Sequence, residues 1–446
     1  MRARHGLRVL SVYEGFFSGG ARIVHSDVVR GLVEGGQSHQ VLSIHGEVHR
    51  EATRQRMEDD HCYRSLTAGG VGVTSLGRTA GLVDGAVAAS VFSGPELAGT
   101  ARAMAGADVI LSLKEQPLAL LNQAGLPRRP VVVCLHRSDP ENQGPALDEL
   151  KAAIAKGTVA ACVCCAESTR AAYEAAGIPA GLLHVVPNGV DLLRFRPDPE
   201  ARAAFRASLG LPGTAPVVVL AARYAPMKNV PLFLRAARTW LAREGGGHVV
   251  LCGAGMSGAN PALRADIRTA FAGEAALTER VHLLGVRHDM EAVYAGSDVV
   301  ALTSVSGEAA PLCLVEGMMC GAVPVTTDVG DSAAIVTGHG FVTPPDPGAI
   351  ALAWSAAFAG RAELAPALER SRERFSRTRM IAAYATLLDE VCAAYGAATG
   401  QGAVAQGTVA QGVVAQGEGI VMHGEGPVAH GEGPPVCDPA TPPLPS

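Results

Sequence analysis

The sequence predicts an α/β protein of two doubly wound, parallel-sheet (Rossmann-like) domains facing one another across a cleft, with a C-terminal helix closing the fold and a disordered tail. Three observations carry this. Over most of the 446 residues, short runs rich in Val, Leu and Ile alternate with longer Ala-rich amphipathic stretches, the pattern of a parallel sheet covered by helices on both faces. The pattern restarts after a stretch near 187–200 punctuated by Pro187, Pro197 and Pro199, which marks a domain boundary. The last fifty residues hold ten Gly and seven Pro with no Lys or Arg, too little apolar bulk to offset ordering entropy.

In the first domain, residues 1–187, the expected strands are Arg8–Val12, Gln40–Ile44, Val109–Leu113, Val131–Leu135, Val159–Cys165 and His184–Val186. The second, residues 188–366, offers Val217–Ala221, His248–Cys252, Val281–Leu284, Val299–Leu302 and Val323–Thr326, with helical runs such as Val230–Glu244 and Leu312–Cys320 between them. Residues 367–396 predict the closing helix, because Met380, Ala383, Tyr384, Leu387, Leu388 and Val391 recur at helical spacing. Residues 397–446 form the expected disordered tail, in which QGAVA, QGTVA and QGVVA repeat every five residues, a period of neither a heptad nor a hexapeptide solenoid.

Composition narrows the function classes. Lys plus Arg number 37 against 42 for Asp plus Glu, a net charge of −5, and aromatic residues are 4%, which argues against a nucleic-acid partner. The apolar run at the start is broken at Glu14, too soon for a signal segment, and no later run reaches about 18 apolar residues. A cytoplasmic protein with no integral membrane segment is expected. Cys134, Cys162, Cys164, Cys165 and Cys252 sit in strand-like runs, as reduced, buried cysteines do, and VCC at 163–165 lacks metal-ligand spacing. No metal site and no cofactor are expected.

In open α/β sheets ligands bind beyond the carboxyl ends of the strands, so the residues that follow strands are the candidates. Ser18, Gly19 and Gly20 form a turn ahead of a helix whose first N–H groups suit a phosphate or sugar oxygen. ARYAPMKN places Arg223 and Lys228 after a buried strand, a fork and a point charge that can both reach a diphosphate. The chain has only four lysines, which makes this pairing more telling. In SVSGEAAPLCLVEG, Pro311 opens a helix whose first N–H groups, those of Leu312 and Cys313, form a second phosphate cradle. Glu316 one turn on suits ribose hydroxyls, and Glu308 ahead of the helix suits sugar hydroxyls. His136 follows the strand Val131–Leu135 at the same end.

These residues resemble a known family. Glu308 and Glu316 resemble the E-x(7)-E element of the family-4 retaining glycosyltransferases of the GT-B fold, also described as glycosyl transferases group 1. PNGVDLLRFRP resembles their interdomain signature through Pro187, Asn188, Gly189, Val190, Asp191, Phe195 and Pro197. ARYAPMKN resembles the GRLxxxKG element, with Ala222 and Asn229 standing where the family has Gly. Ala309 and Ala310 also depart from the family's usual residues after the first Glu.

The resemblance implies a metal-independent, retaining transferase that moves a hexose from a nucleoside-diphosphate sugar to a hydroxyl acceptor, in carbohydrate or glycoconjugate biosynthesis. By resemblance the first domain binds the acceptor, a small molecule, glycan or lipid-linked sugar, and the second the donor. Arg223 and Lys228 then bind the donor diphosphate and stabilise charge as the glycosidic bond breaks. Glu316 holds the ribose, Leu312 and Cys313 the β-phosphate, and Glu308 and His136 the donor sugar, with Gly19 and Gly20 lining the cleft. Acceptor contacts are expected within residues 45–105. Two rivals stay open: a synthase acting on a sugar phosphate, kept alive by Arg22 and Arg137, and a non-catalytic sugar-nucleotide-binding subunit or scaffold.

Overall fold

The structure, a computed structural model, describes residues 6–16, 19–50, 53–81 and 91–399. The tail is expected from 397, but 397–399 belong to the helix Arg377–Thr399; the rest of it, from Gly400 onward, and Ser18 of the first glycine turn lie outside the described residues. The first sheet contains β1 (Arg8–Tyr13), β2 (Ser38–Arg50), β3 (Thr53–Arg56), β4 (Gly72–Ala80), β5 (Val109–Leu113), β6 (Val131–Leu135), β7 (Val159–Cys164) and β8 (Leu183–Val185). Its order is β3-β2-β1-β5-β6-β7-β8, with β4 also paired to β2, and only the β2–β3 pairing is antiparallel. The second sheet contains β9 (Val217–Ala221), β10 (His248–Cys252), β11 (Val281–Gly285), β12 (Val299–Leu302), β13 (Val323–Thr327) and β14 (Phe341–Thr343). It runs β11-β10-β9-β12-β13-β14, parallel throughout.

In both sheets the strand order reverses about the first strand, between β1 and β5 and between β9 and β12. The chain leaving these neighbours departs to opposite faces, which opens a crevice at their carboxyl ends. The central strands β5 and β6 are buried along their whole length, which is why they read as unbroken apolar runs. One face of the second sheet is covered by Phe233, Trp240 and Trp354, with ring centroids 5.1 and 5.9 Å apart. The other face packs on Phe195, Phe205, Tyr294, Leu314 and Met318. At the base of this domain the buried Asp298 takes Arg202 and Arg206 at 2.7 Å each and Arg361 at 3.3 Å, and accepts the Val217 N–H at 2.9 Å.

Three expectations are corrected. The closing element is not one helix over 367–396: a helix Arg361–Ser371 is followed by a 3-10 turn Arg372–Phe375 and a longer helix Arg377–Thr399. The break lets the chain turn at Ser376 and cross back, held by Val190 N–H to the Phe375 carbonyl at 2.8 Å and Arg377 N–H to the Val190 carbonyl at 2.9 Å. The last helix then buries Met380, Tyr384, Leu387, Leu388 and Val391 against Val24, Val28 and Leu32 of the helix Gly20–Glu34, so it is physically part of the first domain's core. Second, residues 45–105, expected only as the source of acceptor contacts, hold among those described the end of β2, β3, β4 and helices His61–Ala68 and Gly94–Ala105. Their periodicity is weak because β3 and β4 lie at the sheet's far edge. Third, Pro311 is the capping residue of Leu312–Met319 and not its first helical residue.

Candidate active site

A cleft of about 610 Å³ opens between the carboxyl ends of the two sheets. Gly19, Gly20 and His136 line it from the first domain, and Arg223, Lys228, Glu308, Leu312, Cys313 and Glu316 from the second. All nine residues singled out in the sequence therefore meet in one place. None of the described residues between 45 and 105 lines it, because β3 and β4 lie beyond β2, on the side of the sheet away from the β1–β5 crevice.

β9 ends at Ala221 and delivers Arg223 to the rim, where its guanidinium meets the Met227 Sδ at 3.7 Å. A 3-10 turn Pro226–Lys228 follows, and the Thr303 hydroxyl donates to the Lys228 carbonyl at 3.1 Å. Inside the cleft the Lys228 ammonium pairs with Glu308 Oε1, and the Ser304 hydroxyl donates to the same oxygen at 2.5 Å. Glu308 is buried, and these two donors orient its carboxylate.

The Glu308 loop is tied to the first domain. The Ser138 hydroxyl donates to the Glu308 carbonyl, while Asn188 Nδ2, just past the domain boundary, donates to the Ala310 carbonyl at 3.1 Å. Ala309 packs against Cys165 and Ala166, with Ala310 beside them, so the two alanines that depart from the family pattern lie at the contact between the domains. Behind the loop, Gly330 has φ +60 and a Cβ there would overlap the Glu308 carbonyl. Next to it, the Asp331 N–H donates to the Ala309 carbonyl at 2.8 Å. The Asp331 carboxylate accepts the N–H groups of Glu167 and Ser168 at 2.9 and 2.8 Å. Those amides open the first-domain helix Glu167–Ala175, whose own capping residue, Ala166, has no side-chain acceptor. The second domain thus supplies the cap the first lacks.

No side chain caps the helix Leu312–Met319, so its first-turn N–H groups remain available to an anion at the cleft. Across from it stands Gly19, with φ +154 at the start of the helix Gly20–Glu34. Gly20 faces Leu312 so closely that a Cβ would meet its Cδ1 at 3.4 Å. Glu316 accepts the Tyr294 hydroxyl at 3.0 Å, and burial pushes its carboxyl up to about 7. Burial likewise pushes the Cys313 thiol up to about 12, leaving it an inert neutral wall. His136 has a buried Nε2 without a hydrogen-bond partner among the described residues. Burial, aided by the charge of Lys114, pulls its pKa down to about 3, so it acts as a neutral imidazole.

Sequence reasoning missed Lys114, Tyr294, Ser138 and Asp331. Lys114 carried a usable signal, since it directly follows an expected strand and is one of four lysines. Nothing local marks the others, whose partners lie far off in the chain.

Residues 18–194 match the Glycosyltransferase Family 4 model, and residues 215–359 the Glycosyl transferases group 1 model. The chain belongs to this glycosyltransferase family. It is 36% identical over 168 residues to the D-inositol 3-phosphate glycosyltransferase of Nocardia farcinica, covering 37% of this chain and 36% of the relative. To that of Mycolicibacterium gilvum it is 37% identical over 170 residues, 36% of each chain. The matched region thus spans about a third of the length of these curated relatives. Among solved structures, Anabaena HepE in complex with UDP-glucose superposes with a TM-score of 0.69 at 20% identity, over 86% of this chain and all of that one (100%). The sucrose-phosphate synthase of Thermosynechococcus elongatus follows at 0.62 and 18%, over 88% of this chain and 100% of its own. The fold of this glycosyltransferase is GT-B. No helix among its described residues is long and apolar enough to cross a membrane.

Proposed function

We propose that this glycosyltransferase moves a hexose from a nucleoside-diphosphate sugar to a hydroxyl acceptor, with retention at the anomeric carbon and without a metal. The observation that carries the reading is the convergence of Arg223, Lys228, Glu308 and Glu316 on one wall of a single cleft, opposite His136. Two cations at the end of β9 and the uncapped helix at Leu312 can share the charge that grows on a departing diphosphate. That is the service a divalent metal would otherwise perform. Glu316 receives the ribose, and UDP is the first nucleotide to test because HepE was solved with UDP-glucose.

Glu308 is held by Lys228 and Ser304, which suits a carboxylate that binds sugar hydroxyls better than a free covalent nucleophile. Retention then follows from same-face displacement. The bond from the anomeric carbon to the diphosphate oxygen breaks, the acceptor oxygen bonds to that carbon from the same face, and the acceptor proton leaves with the diphosphate. Contacts such as Ser138 to Glu308 hold the domains together and exclude water from this step.

The sugar-phosphate synthase reading loses the two arginines that favoured it, since Arg22 pairs with Asp60 and Arg137 with Asp139. The test is a melting-temperature panel with UDP, GDP, ADP, CMP and dTDP and their glucose or mannose forms. One nucleotide should raise the melting temperature of the wild type and that of neither Arg223→Ala nor Lys228→Ala. A panel in which none stabilises the wild type would overturn the reading.

A further inference from the structure

β5 lies beside β1 at the point where the strand order of the first sheet reverses, and Lys114 is the first residue beyond it. Its φ is +67, the left-handed region, which costs a non-glycine residue and persists only where the surroundings impose it. Two hydrogen bonds impose it here: the Lys114 N–H to the Cys134 carbonyl at 3.0 Å, and the Ser112 hydroxyl to the Lys114 carbonyl at 2.8 Å. The consequence is that the side chain turns into the cleft, which it lines together with His136 and Arg137.

Charge balance separates this lysine from Arg137, Arg22 and Lys228. Arg137 is held by Asp139 through two contacts of 2.6 Å, Arg22 by Asp60, and Lys228 by Glu308. Burial pulls the Lys114 ammonium down from the usual lysine range; Glu14 and Glu115 oppose this, and Arg137 and Arg223 reinforce it. Neither carboxylate comes within ion-pair distance, and among the described residues the ammonium has no hydrogen-bond or ion-pair partner. A half-buried cation without an acceptor is unfavourable unless a ligand supplies one. The donor diphosphate is already provided for on the opposite wall, by Arg223, Lys228 and the helix at Leu312.

We propose that Lys114 is the anion-reading residue of the acceptor subsite, and that the acceptor carries an oxyanion, a phosphate or a carboxylate, which docks at the end of β5. This rests on the glycosyltransferase reading of the cleft. The hydroxyl to be glycosylated then lies between that anchor and the donor sugar at Glu308, so the anion positions the acceptor without entering the reaction.

The test is titration calorimetry on the full chain, with and without saturating UDP. The probes are inorganic phosphate, inositol 3-phosphate and glucuronate, set beside neutral inositol and glucose. At least one anionic probe should bind tenfold or more tightly than its neutral counterpart, and whether inositol 3-phosphate or glucuronate does so distinguishes phosphate from carboxylate. Lys114→Met, which keeps the aliphatic volume and removes a half-buried charge, should abolish that preference. Lys114→Arg should retain part of it, and the affinity for UDP should stay within twofold in both variants. Equal binding of charged and neutral probes by the wild type, or an unchanged preference in Lys114→Met, overturns the proposal. So does a loss confined to UDP, which would assign Lys114 to the donor. Where another nucleotide of the melting panel binds in place of UDP, that nucleotide is used throughout; failure of every one to bind the wild type would instead remove the glycosyltransferase reading, an outcome distinct from these.

Discussion

Lys228 and Glu308, 80 residues apart in the chain, form an ion pair inside the cleft, and Ser304 donates to the same carboxylate oxygen. The lysine proposed to neutralise the diphosphate and the carboxylate proposed to hold the sugar are therefore aimed by one another. A change in either disturbs both halves of the donor site.

Lys228→Ala and Glu308→Gln should each lower kcat/KM by roughly a hundredfold or more, the scale of losing one transition-state charge partner. Because the two act as a unit, the double variant should be much less impaired than the product of the single losses. Steady-state kinetics on the three variants decides this; strictly multiplicative losses would show that the pair does not function jointly.

Glu316 should make both stability and nucleotide affinity depend on pH. Its folded-state pKa of about 7 lies above the ordinary carboxylate value, so the folded protein holds this proton more tightly than the unfolded chain. The resulting stability is fully present below the unfolded pKa and is lost as pH rises through about 7. Glu316→Gln keeps an acceptor for Tyr294 and carries no charge. It should melt above the wild type at pH 8, with the gap closing toward pH 4.5. UDP affinity of the wild type and of the variant should diverge as pH passes through about 7 and the carboxylate ionises, the variant keeping only the pH dependence of the terminal phosphate of UDP itself. A gap independent of pH would sink the assignment.

Asp331→Ala removes the acceptor for two amides at the start of Glu167–Ala175, a loss of about 1 kcal/mol for a helix cap. Faster hydrogen exchange at Glu167 and Ser168 should accompany a severalfold fall in turnover, because the carboxylate ties that helix to the backbone segment whose Asp331 N–H holds the Ala309 carbonyl beside Glu308. Asp331→Asn, a good capping residue, should recover most of both. Unchanged exchange in the alanine variant would refute the role.

Asp298→Ala should destabilise the second domain by about 3–5 kcal/mol, the scale for breaking a buried ion pair from one side. It strands Arg206, whose side chain is only 2% exposed, and leaves the cleft residues in place. Thermal denaturation measures it; a melting temperature within a degree or two of wild type would contradict the account.

Much of this architecture was legible in the sequence because its determinants are local. A buried parallel strand such as β6, VVVCL, is a contiguous apolar run, and the residue after it must lie at the carboxyl end of the sheet. That one rule placed His136, Arg223 and Glu308 at the cleft, and helical spacing predicted the buried face of the last helix from Met380 to Val391. Edge strands carry no such mark. β3 and β4 alternate weakly and are largely accessible, so the region from 45 to 105 offered few clean periodic signals and was assigned acceptor contacts, and none of its described residues lines the cleft.

Tertiary structure alone decided the rest, because it turns on pairs that meet only after folding. Asp331 caps a helix 164 residues earlier, and Ser138 meets the Glu308 carbonyl 170 residues on. Whether Arg22 or Arg137 had charge to spare depended on Asp60 and Asp139, and no spacing rule announces that both are taken while Lys114 is not. The chain by itself determined which chemical groups stand at the ends of its strands. Folding determined which are paired, which are desolvated and which face a ligand, because burial and Coulomb attraction act across space and not along the sequence.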